Sequence, residues 1–507
     1  MNDSSGPLQT HKCHLVCRRA AGVKPRRRLN HLIRCAFILL TAAALFNYNL
    51  QAQKTPVDKP NIILIYIDDL GWQDVGYMGN EFISTRHVDK LAAEGRVFTN
   101  AYANAPNCAP SRAAVMSGQY APRTGVYTVG SSARGPQELQ KLLTPKNKSE
   151  LGDEVVTVAE VLNKVGYVCA SIGKWHLGDD PTRQGFDINI GGSSKGEPAS
   201  YFPPYELPNL TDGPKEEYLT DRLTTEATEF IRKNRKQPFF LYLPHFAVHT
   251  PISARKDLFK KYQDRYPYAD RATLAYAAMV EATDISVGRI VAAVDQYNLT
   301  RKTLIVFYSD NGGHHTYSTL GPLRGGKGEV YEGGIRTPLI LRWPGQIARG
   351  RSDAPVIGID LFPTFAAIAG AKTDSLLLDG VALNMNQVGN EAPAERALFW
   401  HFPVYLEGYV HSGKTFRATP CSVIRRGRWK LIEFFEDDKL QLYDLLDDEA
   451  ETRNLALKEP ALAQELLHEL QAWQQAVHAP IPREPNPLYS PDSPDSFEIP
   501  DSLDGRE

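Results

Sequence analysis

The fold is decided by the run Asn61–Ile67, with the sequence NIILIYI, which Asp68 and Asp69 follow at once. A short apolar run rich in β-branched residues, without an alternating polar face, is typical of a buried strand in a parallel sheet. Asp68 and Asp69 would lie where that strand ends. The stretch therefore predicts an α/β protein whose first strand ends in a pair of carboxylates.

Short apolar strands alternate with longer helical patterns along the following chain. Thr157 and Glu160 form a capping box that begins a short amphipathic helix, and Gly166 ends this helix. Further strands are predicted at 167–172, 239–243 and 303–308, and a long helix at about 272–297. This alternation predicts a large, mostly parallel sheet with helices on both faces.

After about residue 390 the pattern changes to that of a smaller antiparallel unit. Two strand-like runs, 422–435 and 440–445, are separated by a polar turn at 436–439. A helix follows, with one apolar face formed by Leu462, Leu466, Leu470, Trp473 and Val477. We therefore predict a signal peptide at 1–52, a catalytic domain at 53–390, a small α+β subdomain at 391–481 and an extended or disordered tail at 482–507.

Composition limits the class of protein. The chain has 507 residues and a formal net charge of −2, so it lacks the overall basic field that attracts nucleic acid. A basic segment precedes the apolar run 35–46, which is shorter than the roughly 20 residues of a membrane-spanning helix. The pattern predicts a signal peptide and an exported protein, periplasmic or secreted, without stable membrane insertion; an uncleaved membrane anchor is the alternative.

Three cysteines remain after the predicted signal peptide: Cys108, Cys169 and Cys421. They are too few and too far apart to form a disulfide framework. Cys169 and Cys421 have the setting of buried small hydrophobic residues. Cys108 instead lies in a polar segment flanked by proline and arginine, which indicates a chemical role.

Polar side chains follow each predicted strand, where an open parallel sheet binds its ligands. They are Asp68-Asp69, Lys174-Trp175-His176, His249, and Asp310-Asn311 with two glycines. We expect these groups to converge. Three carboxylates brought together would repel one another, and oxygen-only ligands favour a hard cation, calcium or magnesium. Helix caps or turns are the alternative for a single Asp pair, but here two groups end two strands of one sheet.

The segment Cys108-Ala109-Pro110-Ser111-Arg112 resembles the Cys-x-Pro-Ser-Arg motif of the formylglycine-dependent (type I) sulfatases. Other motifs of that family occur in the same order: Asp68-Asp69, 173–178 (GKWHLG), His249-Thr250-Pro251, 309–313 (SDNGG) and 324–328 (RGGKG). The similarity covers nearly the whole mature chain, including 428–431 and 442–445, and the set of motifs looks like that of bacterial carbohydrate sulfatases. It implies an alkaline-phosphatase-like fold and an arylsulfatase-like activity on sulfate esters.

By that resemblance, a maturation enzyme converts Cys108 to formylglycine (3-oxoalanine). One hydroxyl of the hydrated aldehyde attacks sulfur, and the other later releases sulfate by re-forming the aldehyde. The resemblance implies that Arg112 orients the nucleophile, Lys174 and Lys327 bind the sulfate oxygens, His176 is the base and His249 protonates the leaving oxygen. It also implies a calcium ion, with magnesium as the alternative, bound by Asp68, Asp69, Cys108, Asp310 and Asn311.

Other functions fit the sequence less well. A phosphomonoesterase or phosphodiesterase of the same superfamily binds two zinc ions and uses Ser or Thr, whereas this chain has Asn311 after Asp310 and Cys108 as the nucleophile. A non-catalytic protein that binds sulfated glycans would keep Cys108 as a thiol. A thiol hydrolase would need a histidine paired with Cys108, and no motif supplies one.

The expected substrate is a sulfated oligosaccharide or polysaccharide. Algal polysaccharides of the carrageenan, agar or ulvan type and glycosaminoglycans are both candidates, so the protein would serve polysaccharide degradation. We expect the pocket walls beyond the sulfate to come from 191–205 and 400–409, whose aromatic and polar residues suit a sugar. His314 and His315 either line this sugar pocket or are solvated.

Overall fold

The computed structural model describes residues 59–383, 396–409 and 414–491. The predicted signal peptide at 1–52, the predicted domain boundary at 390 and residues 492–507 of the predicted tail lie outside these ranges. Among the described helices, none has the length and apolar character that crossing a membrane requires.

The strands, numbered in chain order, make up two main sheets and two short pairs. They are β1 Asn61–Ile67, β2 Arg96–Phe98, β3 Ala101–Tyr102, β4 Val168–Ile172, β5 Ile188–Ile190, β6 Phe239–Pro244, β7 Thr303–Ser309, β8 Leu339–Arg342, β9 Gly350–Ser352, β10 Val356–Ile357, β11 Ala397–Phe402, β12 Leu406–Glu407, β13 Phe416–Ala418, β14 Cys421–Arg426, β15 Trp429–Phe434 and β16 Lys439–Asp444.

The helices occupy the intervals between these strands. They are α1 Arg86–Glu94, α2 Cys108–Ser117, α3 Ala121–Thr124, α4 Val158–Lys164, α5 Leu219–Asn234, α6 Lys256–Arg265, α7 Arg271–Gln296, α8 Glu332–Ile335, α9 Leu361–Ala369 and α10 Pro460–Ala476. The capping box predicted for α4 is present, with Thr157 accepting from the Glu160 amide and Glu160 accepting from the Thr157 amide.

The large sheet has the strand order β5-β4-β6-β1-β7-β8-β2-β9. β8 is antiparallel to β7 and β2, and the other pairings are parallel. Alternate residues of β1 face two separate cores. Ile63, Ile65 and Ile67 pack with α1, α5, α6 and α7, whereas Ile62, Leu64 and Tyr66 pack with α2, α4 and α9. Burial on both faces explains why β1 lacks polar residues after Asn61.

The small sheet is antiparallel, in the order β11-β14-β15-β16. Leu466 and Leu470 of α10 pack on one of its faces against Ile424 and Leu431. The predicted fold class is thereby confirmed: a mostly parallel sheet between helices, plus a smaller antiparallel sheet with a helix. The detail differs, because the run 422–435 is two strands, β14 and β15, joined through Gly427 and Arg428, and β11 was not predicted.

A buried ion-pair network links the small sheet to the segment that follows β7. The Lys430 ammonium of β15 lies 3.0 Å from a Glu332 carboxylate oxygen and 2.9 Å from a Glu451 carboxylate oxygen. These three side chains are at most 1% exposed. Both buried carboxylates form an ion pair with this one ammonium, so loss of the lysine would leave them without an ion-pair partner among the described residues, in an environment that excludes water.

Replacement of Lys430 by methionine should therefore lower the free energy of unfolding by about 3–5 kcal/mol. The exposed Lys439 at the start of β16 is a matched control, and its change to methionine should alter stability by less than about 0.5 kcal/mol. Equilibrium urea denaturation of both variants measures the difference. Equal stability of the two variants would show that the network contributes nothing.

Candidate active site

The carboxyl ends of β1 and β7 bring four oxygen-bearing side chains together. β1 pairs directly with β7, Ile67 opposite Ser309, so Asp68 and Asp69 lie beside Asp310 and Asn311. The Asn311 amide donates to Asp69 Oδ1 at 2.8 Å, and the Asp69 backbone amide donates to Asp310 Oδ1 at 3.2 Å. The four side chains are at most 2% exposed, and Asp69 holds a left-handed φ of 61°, a strained conformation typical of functional sites.

Three cationic side chains neutralise these carboxylates. The Lys174 ammonium donates to Asp68 Oδ2 at 2.6 Å, and the Lys327 ammonium donates to Asp69 Oδ2 at 2.7 Å. Arg112 of α2 donates through Nη2 and Nε to Asp310 Oδ2 at 2.7 and 3.0 Å, and through Nη1 to the Lys174 carbonyl at 3.1 Å. The residues predicted from five separate motifs therefore occupy one buried cluster.

Cys108 begins α2 at the edge of this cluster. The Asn107 side chain caps the helix by accepting from the Cys108 amide at 3.2 Å. Burial raises the pKa of the Cys108 thiol, but the ammonium groups of Lys174 and Lys327 outweigh burial and hold that pKa well below its usual value. The position thus favours a negatively charged atom, as a nucleophile or a sulfate-binding group requires.

His176 and His249 differ in the protonation state that their surroundings favour. Burial lowers the pKa of His176 to about 4, so its ring is neutral at pH 7, and Nδ1 has no hydrogen-bond partner among the described residues. A Cβ at Gly196 would lie 2.5 Å from His176 Cε1, so the loop can approach the ring only with glycine there. A neutral, unpaired ring nitrogen can accept a proton.

His249 has the opposite electrostatic bias. Its Nδ1 donates to the Thr250 carbonyl at 2.8 Å, and its Nε2 lies 3.8 Å from Asp69 Oδ2. Burial and the Lys327 charge lower the pKa of His249, but the Asp69 and Asp68 carboxylates outweigh them and raise it above its usual value. This histidine is therefore disposed to carry a proton on Nε2.

The cluster fits a hard cation. Asp68 Oδ1 and Asn311 Oδ1 are buried without a hydrogen-bond partner among the described residues, and oxygen atoms of this kind are the ligands that calcium and magnesium prefer. Burial raises the pKa of Asp68, and burial with the Asp68 charge raises that of Asp310 to about 6. Both shifts show that burial disfavours the ionised form of these two carboxyl groups, and a bound divalent cation would favour that form.

The distances also allow a second ligand set. One ligand atom from each of Asp68, Asp69, Cys108 and His249 lies within 4.8 Å of the other three. Asp310 accepts from Arg112 through Oδ2 and from the Asp69 amide through Oδ1, so both of its predicted ligand oxygens already accept hydrogen bonds. His249 already donates through Nδ1, and Lys327 competes for Asp69. We therefore favour the oxygen ligands over the His249 nitrogen as the cation site.

An open cleft of about 390 Å³ exposes the cluster to solvent. Eight residues that line it were predicted from the sequence, either in a motif or in the wall 191–205: Cys108, His176, Gly196, Glu197, His249, Thr250, His314 and Lys327. Three polar or charged residues were not: Asn107, Arg134 and Arg417. His314 thus lines the pocket, whereas His315 is exposed and stacks on Tyr409, with 5.8 Å between the ring centroids.

The prediction that residues 400–409 form a wall of the pocket is mostly wrong. Residues 400–406 are buried in the small sheet and its contacts with the large one, because the aromatic side chains there fill the core rather than a pocket. Trp400, for example, is 1% exposed and donates from Nε1 to the Ala103 carbonyl at 2.8 Å. The expected wall at 191–205 contributes Gly196 and Glu197, whereas Tyr201 and Tyr205 are buried.

This sheet, with a charged cluster at the carboxyl edge of its parallel strands, has the alkaline-phosphatase-like fold. A phosphonate monoester hydrolase from Agrobacterium radiobacter shares the fold, with a TM-score of 0.59 at 20% identity over 82% of this chain and 96% of its own. The chain belongs to the sulfatase family, because the Sulfatase family profile matches residues 60–371. A profile described as N-sulphoglucosamine sulphohydrolase, C-terminal, matches 326–476.

Individual relatives agree with this assignment. A sulfatase from Formosa agariphila is 34% identical over 516 residues, covering 85% of this chain and 91% of its own. The N-acetylgalactosamine-6-sulfatase of Canis lupus familiaris is 32% identical and covers 68% of each chain. The crystal structure of Ps i-CgsB is similar with a TM-score of 0.68 at 33% identity, over 82% of this chain and 92% of that one. A second crystal structure shows Ps i-CgsB in complex with k-i-k-neocarrahexaose. The chain is therefore a sulfatase, a hydrolase of sulfate esters.

Removal of divalent cations should abolish activity and lower the melting temperature. Calcium or magnesium should restore both properties, whereas zinc should not, because zinc prefers nitrogen and sulfur ligands. Scanning fluorimetry and sulfate release after dialysis against a chelator measure the two effects. In Asp310→Ala protein the cation should no longer raise the melting temperature. Restoration by zinc alone would contradict an oxygen-ligand site.

Proposed function

We propose that this sulfatase hydrolyses sulfate esters of a sulfated carbohydrate through a formylglycine made from Cys108. The observation that carries the proposal is the position of Cys108. Its side chain lies at the floor of an open cleft, beside the ammonium groups of Lys174 and Lys327 and the neutral ring of His176. A substrate that enters the cleft would place its anionic group among these cations, next to the nucleophile.

Each residue of the cluster has a role that its contacts support. Lys174 and Lys327 bind the sulfate oxygens and offset the negative charge that grows as the bond to sulfur breaks. Arg112, fully buried and held by Asp310, fixes the start of α2 and with it the nucleophile. His176 takes a proton from one hydroxyl of the formylglycine hydrate, because its lowered pKa leaves it neutral. His249 gives a proton to the sugar oxygen as it leaves.

Asp68, Asp69, Asp310 and Asn311, together with the modified Cys108 side chain, would hold the cation. We propose calcium, with magnesium as the alternative, since both prefer oxygen ligands. Bound there, the ion supplies positive charge that lowers the pKa of a nearby hydroxyl and stabilises negative charge. Asp68 Oδ1 and Asn311 Oδ1, which have no hydrogen-bond partner among the described residues, are the atoms that support this assignment.

A carbohydrate substrate is supported by the relatives and by the cleft. One relative acts on N-acetylgalactosamine 6-sulfate by its name, and Ps i-CgsB binds a carrageenan oligosaccharide. The cleft beyond the sulfate is lined by Asn107, Arg134, Glu197 and Arg417, which are hydrogen-bonding residues suited to sugar hydroxyls and acidic groups. We propose an algal polysaccharide or a glycosaminoglycan as the source, a maturation enzyme as a partner, and export to the periplasm or the exterior.

The function is tested by making the protein together with a formylglycine-generating enzyme. Peptide mass spectrometry should find an aldehyde at position 108, and ion chromatography should detect sulfate released from members of a panel of defined sulfated oligosaccharides. Cys108→Ala protein is the matched control and should release none. Full activity in protein that contains only cysteine at this position would disprove the formylglycine mechanism.

His249→Ala should lower kcat on a sulfated oligosaccharide much more than on an activated aryl sulfate. A sugar alkoxide is a poor leaving group and needs a proton, whereas a nitrophenolate leaves with little help. General acid catalysis is worth about 10² to 10⁴ in rate, so we expect a loss of that size on the sugar substrate. Steady-state kinetics on both substrates measures it. Equal losses on both would instead make His249 a sulfate-binding residue.

A further inference from the structure

Arg417 of β13 is a cation of the active-site cleft that the sulfatase chemistry does not use. It lines the cleft together with Cys108, His249 and Lys327. Its guanidinium carbon lies 4.3 Å from the centroid of the Tyr409 ring, a cation–π contact. Its Nε is buried without a hydrogen-bond partner among the described residues. Within that part of the chain, Arg417 also forms no ion pair.

The other two permanently charged cations of the cleft have partners. Arg134 donates from Nε to Glu407 Oε2 at 2.9 Å, and Lys327 donates to Asp69. Glu329, the carboxylate near Arg417, already interacts with the Lys414 ammonium at 3.4 Å and accepts from the Gly326 amide at 3.1 Å. Arg417 therefore keeps hydrogen-bond donors available where an acceptor on a ligand could meet them. A partly desolvated guanidinium without an acceptor is costly, and a bound anion would offset that cost.

The position of Arg417 is fixed relative to the sulfate-binding lysine. The Tyr409 hydroxyl donates to the Lys327 carbonyl, so the ring beneath the guanidinium is tied to the backbone of Lys327. A Cβ at Gly328 would lie 2.6 Å from Arg417 Nε, so the guanidinium packs directly over the next residue and glycine is required there. His314 also contacts Tyr409 in an edge-to-face arrangement, with 4.7 Å between ring centroids.

We propose that Arg417, stacked on Tyr409, binds a second anionic group of the substrate, a sulfate ester or a carboxylate. That group would be carried by the sugar whose sulfate is cleaved or by its neighbour, because Arg417 adjoins the backbone of Lys327. The planar guanidinium offers paired N–H donors that match the oxygens of either anion. The inference rests on the proposed carbohydrate sulfatase function and narrows the substrate to saccharides with at least two negative charges close together.

The test compares substrates that differ by one anionic group. Suitable probes are oligosaccharides of κ- and ι-carrageenan, which carry one and two sulfates per repeat, and sulfated galactosamine with and without a neighbouring uronate. The measured quantity is the ratio of kcat/KM on the doubly charged substrate to that on the singly charged one. Charge-assisted hydrogen bonds predict a ratio of about 10 to 100 for the wild-type protein, expressed mainly in KM.

Arg417→Gln should reduce this ratio by about 10- to 100-fold, and Arg417→Lys should restore part of it, because an ammonium keeps the charge but loses the planar pair of donors. Arg183→Gln is the matched control: Arg183 is exposed, pairs with Asp153 and lies outside the cleft, so the ratio should not change. Whether the second sulfate or the uronate carboxylate produces the effect identifies the anion.

Binding provides a second readout that does not depend on turnover. In a Cys108→Ala background, isothermal titration calorimetry with the doubly charged oligosaccharide should give a Kd about 10- to 100-fold weaker when Arg417→Gln is added. An unchanged ratio and an unchanged Kd in folded Arg417→Gln protein would overturn the inference and leave Arg417 as a packing residue of Tyr409. Absence of sulfate release by the wild-type protein from all substrates, aryl sulfates included, would instead contradict the proposed function.

Discussion

Buried ion pairs at the carboxyl edge of the large sheet determine how the segments around the active site are arranged. Asp68, Asp69 and Asp310 lie side by side because β1 and β7 are hydrogen-bonded neighbours. Buried carboxylates at this spacing are tolerable only when cations meet them, since an unpaired buried charge costs several kcal/mol. Lys174, Arg112 and Lys327 meet them from three other segments. The charge balance thus specifies where α2, the loop after β4 and the segment around Lys327 must lie.

The small sheet takes part in the same arrangement rather than adding a separate unit. Lys430 binds Glu332 in the segment that follows Lys327, Trp400 donates to the Ala103 carbonyl, and Tyr409 donates to the Lys327 carbonyl. Each contact joins the C-terminal part of the chain to residues that flank the cluster. Under the proposed function, residues near β12 and β13 would contact the sugar, while Lys174 and Lys327 would contact the sulfate.

Strand positions could be predicted where local sequence and tertiary environment agree. The bounds of β1, β4, β6 and β7 were predicted to within one residue, because each is an apolar run that polar residues end. The convergence of Asp68, Asp69, Lys174, Asp310 and Asn311 could be predicted for the same reason, since they follow those strands. Cys108, Arg112 and Lys327 were predicted instead from the resemblance to the sulfatases. β11 was missed, and residues 400–406 were misplaced, because aromatic and polar residues there suit either a core or a pocket. Arg134 and Arg417 carry no motif, and only long-range packing brings them to the cleft.

The burial of Cys108 would limit when the proposed modification of this residue can take place. Cys108 is 2% exposed, and Ser111 and Arg112 are fully buried in α2, so an enzyme that reads this segment as an extended peptide must bind it before the chain folds. Arg112 becomes locked only when Asp310, 198 residues later, is available. At about 5–20 residues per second, synthesis leaves the segment open for roughly 10 to 40 s. Under the proposed formylglycine mechanism, oxidation of Cys108 would compete with folding itself, and any delay in forming the sheet would lengthen that interval.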